Sequence, residues 1–203
     1  MKKSVLSLLT LTALVGAAIA APQSFDFKDP KGVNNAIFKL DAPLEAINGS
    51  ATGISGNVSY DPAKPDATKG KIVIAASSLQ VGNPMMKEHL QSEQWMDVKK
   101  YPEITYDVTE LKNAKTSGNV TTADAVGKFT AHGITKDLTV PVKLTYLKDK
   151  LAQRVPNLKG DLLVVRANFT VKRSDFGIMP GKMEEKVSDV IDLTLSIAGA
   201  SKQ

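Results

Sequence analysis

Two histidines, His89 and His132, supply all the imidazole in a chain of 203 residues that has no cysteine. Neither lies in HExxH or any other metal-ligand spacing, so each reads first as a capping or core-edge residue with a satisfied hydrogen bond. The lack of cysteine removes a disulfide framework, a thiolate metal site and a cysteine nucleophile together. No Gly-x-Ser-x-Gly elbow, P-loop or Gly-x-Gly-x-x-Gly turn is present. The carboxylate pairs Glu184-Glu185 and Asp189-Asp192 sit in an amphipathic stretch and read as solvated side chains rather than a glycosidase pair. The lysines are scattered without interleaved aromatics, which argues against nucleic acid as a partner. No catalytic residue and no metal ligand is therefore expected, and binding without covalent chemistry is the function that remains.

The elements that would build a binding site begin after a leader. Lys2 and Lys3 precede an apolar run from Val5 to Ile19, and Ala18-Ile19-Ala20 has the small-x-small form that signal peptidase cuts. Residues 1–20 are thus expected to be a signal peptide cleaved near Ala20, leaving a periplasmic or secreted domain over 21–203. A membrane anchor is the competing reading, disfavoured by Ser7, Thr10 and Thr12, by the shortness of the run and by the lack of a cationic stop after it. No stable membrane insertion is expected. The whole chain carries 26 basic and 21 acidic residues; without Lys2 and Lys3 the net charge falls from +5 to +3, so charge is a poor guide to partners.

From Ala21 onward the hydrophobic period is two, the mark of strands with one buried face. Leu138, Val140, Val142, Leu144 and Tyr146 alternate with polar residues, and Pro141 among them predicts an edge strand or a bulge. Similar phases run through Ile104-Tyr106-Val108, Val165-Ala167-Phe169-Val171 and Ile191-Leu193-Leu195-Ile197. Glycines 49, 53 and 56 predict bent strands between Glu45 and Tyr60. Asn83 and Pro84 open a helix as N-cap and first helical residue, with Met86 and Leu90 sharing one face and Met85 and His89 another. The polar stretch from Lys148 to Gly160 reads as a long surface loop. About eight strands and one helix in a cysteine-free domain favour an all-β, eight-stranded antiparallel barrel or sandwich, with an interior either filled by side chains or holding one small ligand.

Three segments carry a resemblance. His89-Leu90-Gln91-Ser92 runs through Trp95-Met96-Asp97 to Lys100-Tyr101-Pro102-Glu103-Ile104. Gly127-Lys128-Phe129-Thr130-Ala131-His132-Gly133-Ile134-Thr135-Lys136 is the second, and Arg173-Ser174-Asp175-Phe176-Gly177-Ile178 followed by Val187-Ser188-Asp189-Val190 the third. In this order and spacing they resemble the YceI family of polyisoprenoid-binding-like, lipocalin-shaped periplasmic proteins. The resemblance implies an extended eight-stranded antiparallel lipocalin-like barrel with one short helical insertion. Its long apolar pore would hold the tail of an isoprenoid quinone or a related lipid as ligand, with no cofactor required for catalysis. It places Arg173, Asp175 and His132 in structural or mouth positions. Two family features are absent: Val33-Asn34-Asn35 stands where a His-Ser pair is usual, and Met86-Lys87 replaces an Arg-Asp pair ahead of the helix's His-Leu.

The candidate pore wall comprises Phe38, Ile74, Met86, Leu90, Tyr106, Phe129, Phe169 and Phe176, each equally compatible with plain core packing. The expected partner is an apolar, lipid-like molecule, and a homodimer is compatible with such a barrel although no interface is specified. Two rival readings are a non-catalytic stress-response or protein-interaction module with a packed barrel, and a cryptic enzyme using His89 or His132 as acid–base group.

Overall fold

The computed structural model describes residues 22–202, so the leader expected over residues 1–20 lies outside the described residues. The period-two pattern becomes eleven antiparallel strands in one sheet. In chain order they are β1 (Gln23–Asp26), β2 (Asn35–Asp41), β3 (Ala46–Ala51), β4 (Ile54–Tyr60), β5 (Lys69–Ala75), β6 (Gln80–Val81), β7 (Glu103–Ser117), β8 (Val120–Ala131), β9 (Ile134–Leu147), β10 (Gly160–Lys172) and β11 (Val190–Lys202). Two helices interrupt them, α1 (Pro84–Gln91) and α2 (Leu151–Arg154).

These eleven segments occupy eight barrel positions. The ring β1-β4-β5-β7-β8-β9-β10-β11 closes through the pair Asp26↔Ala200 between β1 and β11. The remaining three, β2, β3 and β6, continue the positions of β1, β4 and β5 beyond a break in each, because β2 pairs with β11 and β3, and β3 pairs with β6. The glycine-rich bend expected between Glu45 and Tyr60 is the break at Thr52-Gly53 between β3 and β4. Closure leaves no free edge at the β1 end. At the other end β5 pairs with β7 but β6 does not, and the wall there is completed by α1 and the chain to Tyr101 instead of by a ladder.

Inward residues alternate with outward ones most regularly along β8. On β8, Thr121, Ala123, Ala125, Phe129 and Ala131 are buried while Thr122 and Lys128 face solvent. Pro141 does not mark an edge strand, because β9 is paired on both sides; it stands one residue past the last β9–β10 pair, Val142↔Ala167, where its missing N–H breaks no ladder to β10. The register shifts fall instead on β7, between Val108 and Glu110 and between Lys112 and Lys115.

The interior divides into two apolar clusters along the barrel axis. One, around Phe25, Phe27, Tyr60, Leu111 and Leu163, fills the end where β1 closes the ring. The other, around Phe38, Leu79, Met96, Phe129 and Phe176, lies under α1. The segment from Lys148 to Gly160 is not simply a surface loop: α2 forms there and seats Leu151 in the core at 0% exposure. A single apolar anchor in a polar stretch gives no periodic signal. Arg154, on the last turn of α2, reaches across to Asp29 at 2.9 Å and to the Asn34 amide oxygen at 3.1 Å. Asn34 itself donates to the carbonyls of Phe27 and Ala198 and accepts from the Ala198 N–H, which binds the break between β1 and β2 to β11.

Candidate functional site

α1 begins where the sequence places it. The Asn83 side-chain oxygen accepts from the N–H groups of Met85 and Met86 at 2.9 and 3.2 Å, and Pro84 occupies the first turn. Gln91 then ties the helix to the barrel by donating to the carbonyls of Ser77 and Leu79. No residue of α1 is buried, so the helix roofs the barrel without entering its packed core.

Beneath α1 lies a cavity of about 450 Å³, within the range of small-molecule sites. Its walls carry Phe38, Met86, Leu90, Phe129 and Phe176 from the expected set, with Leu79, Ile104, Ile191 and Leu193 between them. A second, deeper chamber of about 150 Å³ carries Ile74, Tyr106 and Phe169, along with Val165, Leu195 and Ile197, and its exposed wall is wholly apolar. Phe38, Leu79, Ile104, Phe129 and Leu193 line both, so they form the waist between the chambers. All eight candidate residues thus face this pair of chambers, and none stands elsewhere.

At the mouth Glu45, Asn83, His89 and Lys186 border the outer chamber. Deeper in, the hydroxyls of Thr68, Thr105 and Thr194 are bonded to Pro65, Asp107 and Asn168, and the Tyr106 tip is engaged in the same way. The Tyr106 hydroxyl lies 2.7 Å from the Ala125 carbonyl and 2.9 Å from that of Leu138, and burial pushes its pKa up to about 12. The chamber therefore presents its ring and not its proton. Methionines line the outer chamber: Met96 from the buried cluster, and Met85, Met86 and Met183 nearer the mouth, with Met85 67% and Met183 50% exposed. Flexible thioethers adapt to an irregular apolar guest.

The other two motif segments are supports. His132 and Gly133 form the two-residue turn from β8 to β9 with φ of 49° and 75°, both left-handed as a type I′ hairpin requires. A Cβ on Gly133 would meet the Tyr101 ring at 2.5 Å, so that turn takes only glycine. The His132 ring packs on Tyr101 at 4.7 Å and its Nδ1 lies 3.1 Å from the Phe176 carbonyl, joining the hairpin to the mouth. Arg173 is 1% exposed, and all five of its N–H donors are spent on carbonyls of Ile178, Met179, Lys182, Val187 and Ser188. It borders the outer chamber but has no donor left for a guest. Asp189 is not a solvated member of a pair, as the sequence suggested. It accepts from the Ser174 N–H and hydroxyl at 2.9 and 2.8 Å. Burial raises its pKa, and those bonds together with Arg173 more than offset that, holding it below the usual carboxylate range.

His89 and His132 sit apart in role, one on the mouth and one in a turn, and among the described residues no three His, Asp or Glu side chains form a metal-binding group. No helix among them is long and apolar enough to cross a membrane. Sequence reasoning passed over Leu79, Val187 and Met183, which lie outside the regular strands, and nominated aromatics ahead of Ile191, Leu193 and Val165, although these share the inward phase already visible in their strands.

Known proteins place this architecture in context. The YceI-like domain matches residues 31–198. A UPF0312 protein of Pseudomonas putida strain F1 is 31% identical over the full length of both chains, and one of Pseudomonas syringae pv. syringae is 30% identical over the same share. Among solved structures, BcnA of Burkholderia cenocepacia superposes with a TM-score of 0.64 at 21% identity, covering 81% of this chain and 94% of that one. A polyisoprenoid binding domain from Saccharophagus degradans gives 0.64 at 11% identity, covering 89% and 99%. At these identities the two structures speak for the barrel fold alone.

Proposed function

The chain belongs to the YceI-like domain family, and from that premise we propose that it is a non-catalytic periplasmic binding protein, holding a long apolar amphiphile in its barrel for carriage or sequestration. The observation that carries this reading is the pair of chambers under α1, the inner one with a wholly apolar exposed wall, and Glu45, His89 and Lys186 at the border of the outer one. A fully packed interaction module needs no such space. The Saccharophagus neighbour is described as a polyisoprenoid binding domain, which supports the same class of guest: an isoprenoid quinone, a polyisoprenoid or a fatty-acid-like lipid.

Burial of each methylene contributes about 0.8 kcal/mol, so tail binding is generic and any selectivity arises at the rim. There Lys186 and His89 offer donors, and Glu45 an acceptor, to a head group that stays in water. No resident cofactor takes part, and the leader delivers the domain to the periplasm.

Native mass spectrometry of protein purified from a periplasmic extract, repeated after organic extraction, tests the proposal. A bound mass that extraction removes supports the carrier. A clean apo mass from a cell that makes isoprenoid lipids overturns it.

A further inference from the structure

Resting on that reading, we infer that the barrel measures tail length: it is a blind pore that buries about twelve carbons in a line and no more. The strand register carries this. On β10 the lining residues are Val165, Ala167, Phe169 and Val171, and on β11 they are Ile191 to Ile197 in the same phase. Val171 pairs with Ile191 at the mouth, and Val165 pairs with Ile197 and Leu144 at the bottom.

The next inward residues along those strands are Leu163, Gly199 and Tyr146, paired with one another at one level, and none of them borders either chamber. That level is solid. Leu163 and Phe25 are 0% exposed, and Phe25 packs edge-on against Tyr146 at 6.3 Å. Tyr146 is pinned by its hydroxyl to Asp161 at 2.6 Å, and Tyr60 beside it by its hydroxyl to Thr121 at 2.9 Å. A hydrogen-bonded aromatic floor resists displacement by a chain end, because moving either ring leaves a buried polar partner without its bond.

Six residues of strand at about 3.3 Å each span roughly 20 Å, and a tilt of about 40° shortens that to roughly 15 Å along the axis. An extended carbon chain of ~1.5 Å bonds at tetrahedral angles advances about 1.25 Å per bond, so roughly twelve carbons reach the floor. That is a lauryl chain, or three isoprene units. A longer tail leaves its remainder outside the mouth, in water, where it adds nothing.

Titration calorimetry with straight-chain carboxylates from octanoate to octadecanoate, and with the matching alcohols, tests this below their micelle concentrations. Affinity is expected to rise about fourfold per methylene up to dodecanoate and to level off beyond it. Ala167→Leu, which fills the inner chamber without touching the floor, is expected to bring the plateau to shorter chains. Leu163→Ala, which removes part of the floor, is expected to move it to longer ones. Affinity that keeps climbing through octadecanoate, or a plateau that neither variant moves, overturns the length limit and leaves the carrier standing. Failure of every carboxylate and alcohol to bind overturns the carrier itself.

Discussion

The ring of Phe129 stands 5.3 Å from that of Phe176, edge to face at 68°, and so clamps the end of β8 to the turn that follows β10. Phe129 also lies at the waist of the two chambers and packs on Phe169 at 6.4 Å. One side chain therefore joins barrel wall, mouth turn and cavity. Phe129→Ala is expected to destabilise the fold by about 3–5 kcal/mol in urea unfolding, the usual cost of removing a buried phenyl ring. If the loss stays below about 1 kcal/mol, the two rings are not coupled through packing.

Arg173 predicts a different failure. Its guanidinium holds five carbonyls of the segment from Ile178 to Ser188, and it lies over the Trp95 ring at 5.8 Å. Lysine keeps the charge but cannot fork to five acceptors. Arg173→Lys is expected to cost about 2–4 kcal/mol, with amide exchange quickening first in residues 177–189. Unchanged exchange there would mean that the segment holds itself.

Much of this fold is legible in the amino-acid sequence, and the reasons are local. Strands such as Val165 to Val171 and Ile191 to Ile197 declare their inward phase because each has one apolar and one polar face, and Asn83-Pro84 declares the start of α1 through capping chemistry. Phe38, Ile74, Tyr106, Phe129 and Phe169 face the chambers because side chains of one phase share one side of a sheet, whereas Met86 and Leu90 do so four residues apart on α1 and Phe176 from the turn after β10. What stayed hidden depends on contacts distant in the chain. Nothing local separates Val165, which lines the pore, from Leu163, which plugs it; only the pairing level against Tyr146 and Phe25 does. The carbonyl acceptors of Arg173 have no side-chain signature, and Leu151 reaches the core from a stretch that has no period at all.

Acid should loosen the closed end of the barrel. Asp161 is buried, which raises its pKa, yet the bonds from the Asp149 N–H and the Tyr146 hydroxyl more than compensate and hold it below the ordinary aspartate value. A carboxyl whose folded pKa is depressed contributes stability that is fully present above its unfolded pKa of about 3.9 and is lost as pH falls through the folded one. The melting temperature is therefore expected to hold from neutral pH down to about 4 and to fall below that. Asp161→Asn should melt lower at neutral pH and show a shallower acid limb. Asp29 and Asp189 retain part of that limb, since both are also held low. On the alkaline side burial, then Asp161, pushes Tyr146 up to about 12, so its contribution is lost as pH rises past about 10. Identical acid limbs in the two proteins would remove Asp161 from the account.

Leu90 couples the roof to the pore. It lines the outer chamber from α1 and packs, half-buried, on the apolar cluster beneath the helix, so a charge at this position meets both the guest and the edge of the core. Leu90→Asp is expected to lower stability by about 1–2 kcal/mol in urea unfolding and to weaken dodecanoate binding by about a hundredfold in the folded protein, because a seated tail desolvates the carboxylate without giving it a partner. Met85→Asp on the same helix is the control, since its side chain is largely in water and should lose far less. Full tail affinity in a folded Leu90→Asp protein would mean that the helix does not roof the occupied pore.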